Sequence, residues 1–67
     1  MKNLIKVERA RQNMTQAELA DRVKVSRQTI NSIESGKFIP STLLAFKIAT
    51  VLQVAVDVIF QLEDSDW

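Results

Sequence analysis

The 67-residue chain holds one glycine and one proline, and both fall within a single five-residue stretch, Gly36-Lys37-Phe38-Ile39-Pro40. The flanks on either side are therefore free of the two strongest breakers of regular structure. They are rich in Leu, Ala, Arg, Gln and Glu, residues that favour helix. An all-α fold follows, in which caps rather than Gly/Pro-rich turns mark the helix ends and one loop is obligatory.

The caps divide the chain into five helices. A first is predicted from about Asn3 to Gln12, ending at Asn13, a residue that tolerates the left-handed conformation of a helix C-terminus. Its apolar positions (Leu4, Ile5, Val7, Ala10, Met14) define no single clean face. Thr15-Gln16-Ala17-Glu18 is a capping box, in which the Thr hydroxyl accepts from the Glu18 N–H while the carboxylate reaches back. It opens a second helix to about Val23, with Ala17, Leu19, Ala20 and Val23 inward. Ser26 caps a third helix, 27 to 35, closed by Gly36. Pro40-Ser41 starts a fourth that reaches Leu52, with Leu44, Ala45, Ile48, Ala49 and Leu52 on one stripe. Val56 to Phe60 makes a short fifth. The segment FQLE that follows can extend as a strand, and the chain ends in an acidic tail, DSDW.

Composition excludes several classes of function. This length suffices for one domain, which buries about 60% of the surface its unfolded form exposes. No run approaches the roughly 18 apolar residues of a membrane span. There is no cysteine and no histidine, so neither a disulfide scaffold nor the usual zinc site can be built, and no metal or other cofactor is expected. The same absence argues against an enzyme, because no activated nucleophile or acid–base cluster recurs. MKNLIKVERA lacks the apolar core of a signal peptide, so a soluble, reducing, cytoplasmic setting is expected. The net charge of +1 conceals an asymmetry: residues 1–37 carry eight Lys/Arg against Glu8, Glu18, Asp21 and Glu34, while residues 38–67 carry Lys47 against Asp57, Glu63, Asp64 and Asp66. A basic portion suits a polyanion, with the acidic end turned away.

The third helix is the most informative element. At 100° per residue Ile30 and Ile33 fall together, and Gln28, Asn31, Ser32 and Ser35 fall opposite, with Arg27 at the N-terminal edge. Solvated faces usually carry Glu and Lys, which have better helix propensity than Asn or Ser. Gln, Asn and Arg, by contrast, are the side chains that pair bidentately with purine edges in the major groove. Only Lys24-Val25-Ser26 separates the second and third helices, which is the spacing of a helix-turn-helix.

TQAELADRVKVSRQTINSIESGKFIPS closely resembles the helix-turn-helix of Cro/cI-type phage repressors and of the xenobiotic-response-element (XRE) class of regulators, and LLAFKIATVLQVAVDVIF resembles the fourth and fifth helices of that class. The resemblance spans about residues 3–62 and implies a five-helix, lambda-repressor-like DNA-binding domain with its helix-turn-helix at about 16–35. By position it implies base contacts from Arg27, Gln28 and Ser32, with Asn31 as a further contact. It assigns Gln16 and Lys37 to phosphates, and joins Arg9 and Glu34 as a structural ion pair. Glu34 also lies at the edge of the buried stripe on the helical wheel, where a carboxylate needs a partner. The chain departs from the family pattern at Lys24 and Gln53, which stand where Gly, or Gly and Asn, are usual. Ala55 replaces a capping Ser or Thr.

One recognition helix reads only a few base pairs, so the expected partner is a palindromic double-stranded operator bound by a homodimer acting as a repressor. FQLE has no preceding strand predicted in its own chain, and pairing with the same segment of a second copy would satisfy its backbone. The dimer is accordingly expected from a C-terminal segment at about 56–67, with Ile59, Phe60 and Leu62 at the interface. The alternative reading is an antitoxin or protein-interaction module on the same fold.

Overall fold

The structure, a computed structural model, describes residues 1–67. Its order is β1 (Lys2–Asn3), α1 (Ile5–Arg11), α2 (Gln16–Val23), α3 (Arg27–Glu34), α4 (Thr42–Leu52), α5 (Val56–Ile59) and β2 (Phe60–Gln61), closed by a 3-10 turn at Asp64–Asp66. The five helices are present, each within a few residues of its predicted bounds.

Caps set those bounds. The Thr15 hydroxyl accepts from the Glu18 N–H at 3.0 Å, and Glu18 Oε1 accepts from the Thr15 N–H at 3.1 Å, so the box is closed reciprocally. Ser26 Oγ accepts from Thr29 N–H at 3.1 Å and Ser41 Oγ from Leu44 N–H at 3.2 Å. Caps of this kind stabilise a helix by about 1 kcal/mol each relative to Ala. Helix α5 has no side-chain cap at Ala55 and is a single turn of four residues.

Two left-handed residues terminate α2 and α4 where glycine is usual. Lys24 has φ 65° and Gln53 φ 58°. Val25 N–H reaches the Ala20 carbonyl and Val54 N–H the Ala49 carbonyl, the six-to-one bond of a Schellman closure. The backbone therefore takes the glycine geometry at a cost of roughly 1–2 kcal/mol per site, and the turns keep their form.

Ile5, Leu19, Val23, Ile30, Ile33, Ile48, Leu52 and Ile59 are fully buried in one core drawn from all five helices. Ala20 is buried where α2 meets its neighbours, and Val25 packs against the same core from the turn. Helix α3 is thus fixed by its two isoleucines while its polar face stays outside.

Four expectations are corrected. Helix α1 begins at Ile5, because Lys2 and Asn3 form a strand. Ala17 is exposed, since at 100° per residue it lies roughly 60° beyond the arc of Leu19, Val23 and Ala20. Phe60–Gln61 does have a partner strand in its own chain: it pairs antiparallel with β1, Lys2 opposite Gln61 and Asn3 opposite Phe60. Two residues at the beginning of the chain are too short a pattern to read as a strand until the fold brings them beside β2. Finally, Ile59 lies wholly inside the core, so it offers no surface to a second copy; Phe60 is half-buried and Leu62 exposed.

Candidate nucleic-acid interface

Burial of Ile30 and Ile33 in the core turns the opposite, polar face of α3 outward. Arg27, Gln28 and Asn31 are exposed and line one open recess. Ser32 is half-buried on the adjoining flank, where a second shallow groove is lined by Ser26, Gln28, Thr29, Ser32, Lys37 and Phe38. The loop after α3 is tied to that groove: the Ser32 carbonyl accepts from Lys37 N–H at 2.9 Å and from Phe38 N–H at 3.2 Å. Gly36 makes this return possible with φ 78°.

Arg9 and Glu34 sit behind the outward face of α3. Arg9 Nε donates to Glu34 Oε2 at 2.7 Å and Arg9 Nη2 to Oε1 at 3.0 Å, a bidentate fork, while Nη1 donates to the Met14 carbonyl at 2.8 Å. The side chains are only 13% and 8% exposed. Hydrogen bonding to Glu34 raises the Arg9 pKa above its ordinary value, against the opposing cost of desolvation. Gln16, at the start of α2, bridges outward from this pair. Its Nε2 donates to Glu34 Oε1 at 3.1 Å and, more weakly, to Asn31 Oδ1 at 3.4 Å. Asn3 Nδ2 adds a further anchor by donating to the Ile33 carbonyl at 2.9 Å.

The structure thus brings Arg27, Gln28, Asn31, Ser32, Gln16 and Lys37 to one side of α3. It turns the side-chain donors of Gln16 toward protein acceptors, Glu34 and Asn31. Ile59, Phe60 and Leu62 belong to the far end of the chain. Residue-type reasoning missed Phe38, which is half-exposed beside Ser32, and Thr29, which shares its groove. The available signal was an aromatic side chain set in an otherwise polar loop.

A helix-turn-helix family model matches residues 5–59. An uncharacterized HTH-type transcriptional regulator of Methanocaldococcus jannaschii is 52% identical over 66 residues, covering 98% of this chain and 100% of the relative. One from Archaeoglobus fulgidus is 47% identical over 66 residues, at 98% and 93% coverage. The HTH-type regulator YgzD of Bacillus subtilis is 41% identical over 66 residues, at 98% and 100%. The chain belongs to the XRE-type helix-turn-helix family of DNA-binding transcription regulators. No helix in it is long and apolar enough to cross a membrane.

Proposed function

We propose that the protein is a sequence-specific repressor that binds a two-fold symmetric operator as a homodimer, with α3 in the major groove. Arg27, Gln28, Asn31 and Ser32 contact base edges, and Lys37 with the amino end of α2 contacts phosphates. The observation that carries this reading is the outward recess of Arg27, Gln28 and Asn31 on a helix anchored from behind by the Arg9–Glu34 fork. Arg, Gln and Asn supply the bidentate donors and acceptors that distinguish base pairs, and a rigid helix holds them in register.

The dimensions of the molecule support the dimer. The longest extent of the chain is 32 Å, whereas half-sites one helical turn apart lie about 34–36 Å centre to centre. Two copies are needed to read both. Leu43 and Leu62 are 67% and 65% exposed, and Phe46 and Val58 are also largely exposed, all outside the reading face. Burying such side chains against a second copy supplies the apolar contact area a dimer requires. Because β2 already pairs with β1 within the chain, the proposed contact with the second copy is made mainly by side chains. The same exposed residues favour the second reading, an antitoxin whose partner protein occupies this surface.

Selection from random duplexes tests the proposal. The expected product is a palindromic motif with half-sites about 10 base pairs apart. Failure to enrich any sequence at low salt would contradict it.

A further inference from the structure

We propose that Phe38, in the loop after α3, determines specificity by packing against the C5-methyl group of a thymine in each half-site. This inference rests on the DNA-binding reading above and deepens it. Phe38 is 48% exposed and lies outside the core, although burying an aromatic ring is favourable. Its main chain is nevertheless fixed. Phe38 N–H and Lys37 N–H both donate to the Ser32 carbonyl, at 3.2 and 2.9 Å, and the nearby Pro40 is buried. The ring is thus held on the outer flank of α3 by a loop anchored on both sides.

The residues that share its groove indicate the partner. Gln28 and Ser32 contact base edges in the proposed complex, and Lys37 contacts a phosphate. A side chain set among them faces the major groove between its floor and its wall. Ser32 is short and half-buried, so it leaves room in the groove that Gln28 and Phe38 also line. The Ser26 and Thr29 hydroxyls bond each other at 2.9 Å, so neither is left without a partner when an apolar group covers them.

The thymine methyl is the alkyl group that base edges present in the major groove, and phenylalanine is among the side chains that pack on it. The remaining edges offer hydrogen-bond donors and acceptors, which a phenyl ring cannot satisfy. A small-molecule occupant fits less well. The groove's volume of about 320 Å³ is at the lower end for ligand sites, and Phe38 is the one hydrophobic residue among the 6 that line it, whereas ligand sites are lined predominantly by apolar side chains.

Deoxyuridine substitution tests the inference. Each thymine of the selected operator is replaced in turn by deoxyuridine, which keeps the base pairing and O4 and lacks only the methyl. Affinities are then measured for the wild type, Phe38→Leu and Phe38→Ala. One replacement per half-site is expected to weaken wild-type binding by roughly 4-fold, the worth of one buried methyl-sized group. That penalty should largely vanish in Phe38→Ala and persist in part in Phe38→Leu, which keeps an apolar side chain. Because Phe38 lies outside the core, both variants should keep the helix circular dichroism of the wild type; loss of the fold in both would make Phe38 structural and overturn the inference. A penalty undiminished in Phe38→Ala would assign the methyl to another side chain and also overturn it. So would a Phe38→Ala loss that is equal on operator and random duplex with every deoxyuridine effect unchanged, the pattern of a ring resting on the DNA backbone. An operator whose thymines all tolerate deoxyuridine overturns the Phe38 assignment alone. If no duplex is enriched, the DNA-binding reading falls, and the assignment with it.

Discussion

Removing Arg9 should cost this chain a large share of its stability. Arg9→Ala deletes three hydrogen bonds at once, two to Glu34 and one to the Met14 carbonyl. It leaves the Glu34 carboxylate, whose side chain is 8% exposed, with a single N–H from Gln16. An uncompensated charge in such a site costs about 3–5 kcal/mol. The total stability of natural domains is only about 5–15 kcal/mol, and a domain this small belongs toward the lower end. Arg9→Ala should therefore be partly or wholly unfolded at room temperature. Glu34→Ala should lose somewhat less, because the guanidinium it strands is the more solvated partner, at 13% exposure. The double replacement Arg9→Met with Glu34→Leu should be milder than either single change, since no charge is left unpaired. High salt should not rescue the single variants, because buried pairs are screened weakly. The raised Arg9 pKa means that the guanidinium's contribution is full below the ordinary arginine value and is lost only as pH rises through the raised one. Urea denaturation followed by helix circular dichroism gives the differences directly. Single variants within about 0.5 kcal/mol of wild type would refute the reasoning, because that is the size expected of an exposed pair.

Three further outcomes are expected. Hydrogen bonds from the Thr15 backbone and hydroxyl hold the Glu18 pKa below the usual glutamate value, so the box's contribution is full above that value and is lost as pH falls through the lowered one; an NMR titration should show the lowered midpoint, and Thr15→Val should raise it toward the ordinary value. Gly36→Ala meets no atom within 4 Å, so its cost should be backbone strain alone, roughly 1–2 kcal/mol by urea denaturation, and a larger loss would mean a hidden steric clash. Sedimentation of the wild type should give about twice the 7.6 kDa chain mass at micromolar concentration, and Leu62→Glu should shift the equilibrium toward monomer; an unchanged dimer would place the interface elsewhere.

The fold was legible where local chemistry decides it. Capping residues announced α2, α3 and α4, and the isolated Gly36–Pro40 loop separated α3 from α4. The same signals placed the outward face of α3, since Ile30 and Ile33 leave only one way to turn it. The untidy apolar pattern of α1 gave no buried face, and the structure shows why: Glu8 is buried there and Val7 exposed, with Glu8 facing Arg11 at 3.7 Å. The two-residue strand β1 carried no readable period, and its absence from the sequence reading left β2 looking unpaired. Without β1, Ile59 reads as an interface residue; in the fold it is core. In the candidate site, residue types indicated which side chains face outward but not how they bond to one another. The Gln16–Glu34–Asn31 relay joins α2 to α3 across the fold, and only three-dimensional placement reveals it.

The proposed role of α3 is to read sequence while neighbouring groups grip the backbone. It is tested most directly by measuring the affinities of wild type, Gln28→Ala and Lys37→Ala for the selected operator and for random duplex across a salt series. Gln28→Ala should lose roughly 1–3 kcal/mol on the operator and almost nothing on random DNA. Lys37→Ala should weaken both and flatten the salt dependence by about one unit. Equal losses on operator and random DNA for Gln28→Ala would contradict the account, because Gln28 would then be gripping DNA without reading it.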